Sequence, residues 1–140
     1  MKKIRTEIAE LSFDERASTI NIKMLEGAEM NLENTRKHYE LIKKLTSDKP
    51  YLALVDATYF FTIDKPALKY TSLPGTINKR IATAYYNPIL ANSFTTEFFR
   101  KFYKPPLPTR SFKTKEEAKL WLKKEEKQIT ESEKAVQITG

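Results

Sequence analysis

YLALVDA, Tyr51 to Ala57, is the stretch on which the fold turns. Every residue but Asp56 is apolar, and a run this short with no alternation is a strand covered on both faces, because a strand with one wet face would place polar residues at every second position. Helices must then lie above and below the sheet, and the flanks are where to look for them. Upstream, NLENTRKHYELIKKL (31–45) sets Leu32, Thr35, Tyr39, Ile42 and Leu45 at helical spacing. Asn31 is placed to cap the first turn with its side-chain oxygen, and Asp48 to Pro50 end the helix. Downstream, the chain turns after Asp64, KPALKYTSL reads as a short helix stopped near Pro74 and Gly75, and KRIATAYY (79–86) reads as a second buried strand.

Farther out, Ile20, Ile22 and Met24 alternate with Thr19, Asn21 and Lys23, the period of a strand with one buried face. Ile4 to Phe13 alternates less cleanly, and FDERAS supplies a polar reversal, so an antiparallel pair opens the chain. On the other side, Asn87-Pro88 reads as cap and first-turn proline of a long helix carrying Leu90, Phe94, Phe98 and Phe102, closed by Pro105 and Pro106. PTRSF is a short last strand, and Thr114 with Glu117 has capping-box spacing ahead of Ala118, Trp121 and Leu122. Beyond Gln128 the periodicity fades, so residues 1–127 are expected to form a single domain and 128–140 a frayed tail. Strands alternating with helices in this order predict an α/β fold: a mixed, mainly parallel sheet of about five strands with an antiparallel N-terminal edge strand, packed by about four helices.

Composition narrows the chemistry. The 140 residues contain no cysteine, which removes disulfides, thiolate metal sites and cysteine nucleophiles and leads to the expectation of a cytoplasmic setting. MKKIRTEIAE lacks the continuous apolar core of a signal peptide, and no run approaches the roughly 20 apolar residues of a membrane span. The net charge of +7 is concentrated in the last third of the chain. A basic end of this kind attracts phosphate-bearing partners when it is not simply a solvated face, and nucleic acid is the least favoured of the partners considered. With 3 glycines there is no glycine-rich phosphate loop, and with a single histidine, His38, read as facing water, no multi-histidine metal centre can form. No cofactor is expected.

The segments YLALVDATYFFTID, KRIATAYYNPILANSFTTEFFRKFY and PTRSFKTKEEAKLWL together resemble STAS-like proteins related to the sporulation anti-sigma-factor antagonist. More narrowly, the chain is similar to a bacterial STAS or CRAL-TRIO-like group in which a proline-led strand ending in phenylalanine precedes a helix of the type EEAxxWL. The resemblance covers residues 4 to 127, and Phe112, Ala118, Trp121 and Leu122 are its most specific part. It implies a STAS-like fold and a non-enzymatic regulatory or interaction role, with carriage of a lipid or small hydrophobic ligand as the alternative from its CRAL-TRIO side. Antagonists that switch by phosphorylation carry Asp-Ser at the helix start after the strand matching YLALVDA. The matching pair here is Asp64-Lys65, and lysine accepts no phosphate, so the usual serine switch is not expected.

In open α/β sheets, ligands meet the protein beyond the carboxyl ends of the strands. That rule selects Asp56, Thr58, Tyr59, Asp64, Lys65, Tyr85 and Asn87 as candidate binding residues for a protein partner or small hydrophobic ligand. Each also has a plainer role: Asp56 as an acceptor for a neighbouring loop, Asp64 and Asn87 as helix caps, and the aromatics Tyr59, Phe60, Phe61, Tyr85 and Tyr86 as core or dimer surface. The aromatic excess of the 89–103 helix, with Phe99 and Tyr103 off its main stripe, points to a partner surface or a homodimer.

Overall fold

The computed structural model describes residues 2–73, 75–76, 79–86 and 107–139, with the side chains of 128–139 excepted. The expected helix at 89–103, its cap Asn87 and the aromatic excess it carries lie outside the described residues.

The N-terminal apolar stretch is two strands, not one: β1 (Ile4–Arg5) and β2 (Ala9–Asp14) pair antiparallel across a tight turn. Thr6 makes that turn, its hydroxyl accepting from the Ile8 and Ala9 amides, which is why the alternation there is imperfect. β2 pairs antiparallel with β3 (Thr19–Met24) through the Asp14 reversal, where the carboxylate accepts from the Arg16 and Ala17 amides. From β3 onward the pairing is parallel, through β5 (Tyr51–Asp56), β7 (Arg80–Tyr86) and β8 (Thr109–Phe112), giving a sheet of six strands in the order β1-β2-β3-β5-β7-β8.

Two further strands, β4 (Glu29–Met30) and β6 (Thr62–Ile63), form a separate parallel pair of two residues each. They are too short for any periodicity to reveal them. Their pairing joins the loop after β3 to the loop after β5, and Asp64 donates its amide to the Met30 carbonyl at 3.0 Å.

Among the described residues there are three helices. α1 (Leu32–Leu45) starts at Asn31, whose side chain accepts from the Asn34 amide while Asn34 accepts from the Asn31 amide, closing a capping box. α2 (Lys65–Thr71) starts at Asp64, which accepts from the Ala67 amide at 2.9 Å. α3 (Lys115–Thr139) starts behind Thr114, whose hydroxyl accepts from the Glu117 amide, and its backbone stays helical past Gln128 to Thr139.

The alternation of β5 divides the core. Tyr51, Ala53 and Val55 join Ile20, Ile22, Met24 and Ile42 on the face under α1, while Leu52 and Leu54 join Ala82, Ala84, Ala118 and Leu122 on the face under α3. Burying β5 on both faces is what its continuous apolar sequence required. Ala118 is fully buried, so α3 approaches the sheet closely there, and Trp121 packs its ring against Phe112 at 5.5 Å. No described helix is long and apolar enough to cross a membrane.

Candidate functional site

The polar centre of the molecule is Arg80, at the start of β7. The register between β5 and β7 shifts here: Tyr51 pairs with Arg80 but Leu52 with Ala82, so Ile81 is an extra residue on β7. A bulge of this kind re-aims the side chain before it. Arg80 is turned to the α1 face beside Tyr51 and Thr83, and it is 9% exposed. Its Nε donates to the Tyr51 hydroxyl at 3.2 Å and its Nη1 to Thr83 Oγ1 at 3.3 Å. The guanidinium lies 5.3 Å from the ring centre of Tyr39 and 5.4 Å from that of Tyr51, an aromatic clamp of the cation–π kind. Its Nη2 is buried and has no hydrogen-bond partner.

His38 meets Arg80 from α1. The expectation that His38 faces water is wrong: it is 4% exposed, because Asn34, His38 and Ile42 follow one another at four-residue spacing along the buried stripe of the helix. Reading the stripe through Leu32, Tyr39 and Leu45 rotates it too far, since the buried positions of α1 run through Asn34, Thr35, His38 and Ile42. Burial, and secondarily the Arg80 charge, lower the His38 pKa from 6.5 to about 3, so the ring is neutral at ordinary pH. Its Nδ1, like Arg80 Nη2, is buried without a partner. Arginine keeps its proton in protein interiors. Burial works against the Arg80 cation, but the neighbouring Tyr51 and Tyr39 outweigh it and leave its pKa raised.

Arg80 and His38 line the same cavity, about 80 Å³ in volume. Its apolar walls include Ile22, Met24, Val55 and Phe61, and Tyr85 and Thr83 border it from β7. The clip between β4 and β6 contributes Met30 and Ile63.

The residues selected at the strand ends are divided by the sheet. Asp56 points to the α3 face, where its carboxylate accepts from the Thr58 amide at 3.0 Å and from the Thr58 hydroxyl, with the Tyr86 phenol beside it. Burial first, then the Asp56 charge and hydrogen bond, push the Tyr86 phenol up to about 12. Thr58 therefore belongs with Asp56. Tyr85 borders the cavity on the opposite face. Asp64 caps α2, and Lys65 is exposed at that helix's first position. Tyr59 is 39% exposed in the loop after β5, with the Lys23 ammonium 5.9 Å from its ring centre.

A second concavity, a groove of about 940 Å³, runs between α3 and the polar face of β2 and β3. Lys115, Lys119, Lys123 and Lys127 of α3 form one wall at four-residue spacing, and Glu10, Asp14 and Asp56 face them. The leucines on its floor, Leu52, Leu54 and Leu122, are at most 3% exposed, although the exposed lining as a whole is more apolar than polar. Among the described residues no group of three or more His, Cys, Asp or Glu could hold a metal ion.

Residues 16–126 match the model of a family described as a domain of unknown function, DUF7793. The chain belongs to the DUF7793 family. No curated protein and no solved structure matches it. The DUF7793 segment starts in the turn before β3 and ends inside α3, so it contains every described residue that lines the Arg80 cavity. The groove instead takes Lys3, Glu10, Asp14 and Lys127 from outside that segment. Selection at strand ends missed Arg80, Thr83 and His38. Two signals were present: an arginine inside a run read as a strand buried on both faces, and a histidine four residues before the core residue Ile42.

Proposed function

We propose that this domain acts by recognition and not by bond-making: it holds a small ligand in the cavity between the sheet and α1, and reports that ligand to a protein partner at the loop after β5. The observation that carries the reading is the Arg80–His38 cavity, where two buried polar atoms lack partners that every folded interior normally provides. The loop supports the second half. Phe61 is buried against the cavity, while its neighbours Tyr59 and Phe60 are 39% and 51% exposed, so occupancy of the cavity bears on a residue adjoining an aromatic surface. Aromatic side chains are enriched at the centres of protein interfaces. The non-enzymatic part draws on the use of Asp56 within its own loop and the neutral, buried state of His38, which leave neither placed as a proton-transfer group.

This role accords with the regulatory one that the STAS-like resemblance implies, with Lys65 in place of a phosphate acceptor. The lipid-carrier alternative has the larger groove to draw on, whose lining is mainly apolar but interrupted by lysines and carboxylates. The test is thermal denaturation of the full chain against a panel of small neutral and charged compounds. A ligand present at about 100 times its Kd stabilises by about 2.7 kcal/mol. A saturable rise in Tm for one chemical class is expected, and flat melting curves across the panel would refute the ligand-binding reading.

A further inference from the structure

We infer that the interior cavity takes a short-chain monocarboxylate, received by Arg80 with His38 as its second polar contact. The inference rests on the ligand-binding reading above and specifies the chemistry of the ligand.

Three observations converge on it. The first is charge. Arg80 is a buried cation that forms no ion pair among the described residues. Removing a charged group from water is costly, and here cation–π contacts and neutral hydrogen bonds, not an opposite charge, offset that cost. The two tyrosine rings and the two neutral hydrogen bonds hold the cation but leave Nη2 with no acceptor at all. An oxyanion placed there supplies both the missing acceptor and the missing negative charge.

The second is the pairing of orphaned atoms. His38 lines the same space, and its Nδ1 is also buried and unpartnered. A neutral imidazole can carry its proton on Nδ1, and in that tautomer it donates to a carboxylate oxygen. The two groups that the fold leaves unsatisfied are thus both able to donate to one anion.

The third is size and lining. The cavity of about 80 Å³ is several times the ~10–15 Å³ needed by one water and suits a group of roughly half a dozen non-hydrogen atoms. Ile22, Met24, Val55 and Phe61 give its remaining surface an apolar character that accepts a short alkyl tail. Among the described residues Arg80 is the one cation in the lining, which matches a single negative charge better than the two of phosphate or sulfate.

The experiment uses the full chain in buffer free of small carboxylates. Acetate, propionate and butyrate are titrated beside their primary amides and beside inorganic phosphate, with Tm and calorimetric binding as readouts. Expected are saturable binding of the carboxylates and affinity for the amides lower by about 10–100-fold, the worth of one charge-assisted hydrogen bond. Arg80→Met should lose carboxylate binding, and its own Tm without ligand reports whether the variant is folded. Arg80→Lys, which keeps the charge without the planar fork, should bind more weakly than the parent chain. Should Arg80→Met fail to fold, the acid-against-amide comparison on the unaltered protein still decides the matter. Amides or phosphate binding as well as carboxylates, or binding unchanged in Arg80→Met, would overturn the monocarboxylate while leaving a ligand cavity in place. Absence of saturable binding for every compound would remove both readings.

Discussion

Lowering the pH from 7 to 5 should cost this protein about 2 kcal/mol of stability through His38 alone. In the folded state burial, aided by the Arg80 charge, lowers the histidine pKa to about 3, whereas the unfolded chain has the ordinary 6.5. Below pH 6.5 the unfolded state therefore binds a proton that the folded state refuses, and stability falls as pH falls from 6.5 toward 3. At pH 5 the unfolded histidine is almost fully protonated and the folded one almost fully neutral, which gives the figure of about 2 kcal/mol by linkage. The window is clear because His38 is the only histidine, and unperturbed carboxylates titrate mainly below it. Urea denaturation at pH 7, 6 and 5 would measure the loss. His38→Gln removes the titrating group, so its stability should change far less across the same range even if its absolute value is lower. Equal losses in the parent and His38→Gln would show that His38 is not held neutral, and the description of His38 as buried beside the Arg80 charge would fail with it.

Other perturbations probe the surrounding frame. Leu122→Ala opens a void where α3 covers the sheet, and it should destabilise by about 3 kcal/mol in the same denaturation assay. Asp64→Ala removes the α2 cap and should cost about 1 kcal/mol, while Lys65→Ser, at an exposed position, should change stability by less than about 0.5 kcal/mol. Asp56→Asn should lower the Tyr86 phenol pKa from about 12, read at 295 nm as the difference from a Tyr86→Phe control; an unmoved titration would mean that burial alone sets it. Tyr59→Ala should leave Tm within a degree or two of the parent while weakening capture of a partner that the parent protein retains from its native cell.

Regular segments were legible because period and capping are local properties. Asn31, Asp64 and Thr114 sit where a helix must begin, and their side-chain oxygens do accept the exposed amides of the first turn. The covered strand Tyr51–Asp56 was legible for the same reason: its apolar continuity demands packing on both faces. The pair β4–β6 was not, since two residues per strand carry no period, and the division of Ile4 to Phe13 depended on one threonine turning the chain. Among candidate site residues, Asp56 and Thr58 do come together, but Tyr85 lies across the sheet from them, because neighbouring positions on a strand point to opposite faces.

Sequence by itself determined that this chain builds a mainly parallel α/β sheet, where most of its helices start, and that Ala118 and Leu122 seal one side. Only the tertiary structure decided that Arg80 is an interior charge and His38 its neighbour. The cause is a single extra residue in the register between β5 and β7, together with the rotation of α1 that packing against the sheet selects. Both are set by contacts between segments far apart in the chain, which the spacing of residues within either segment hints at but does not fix.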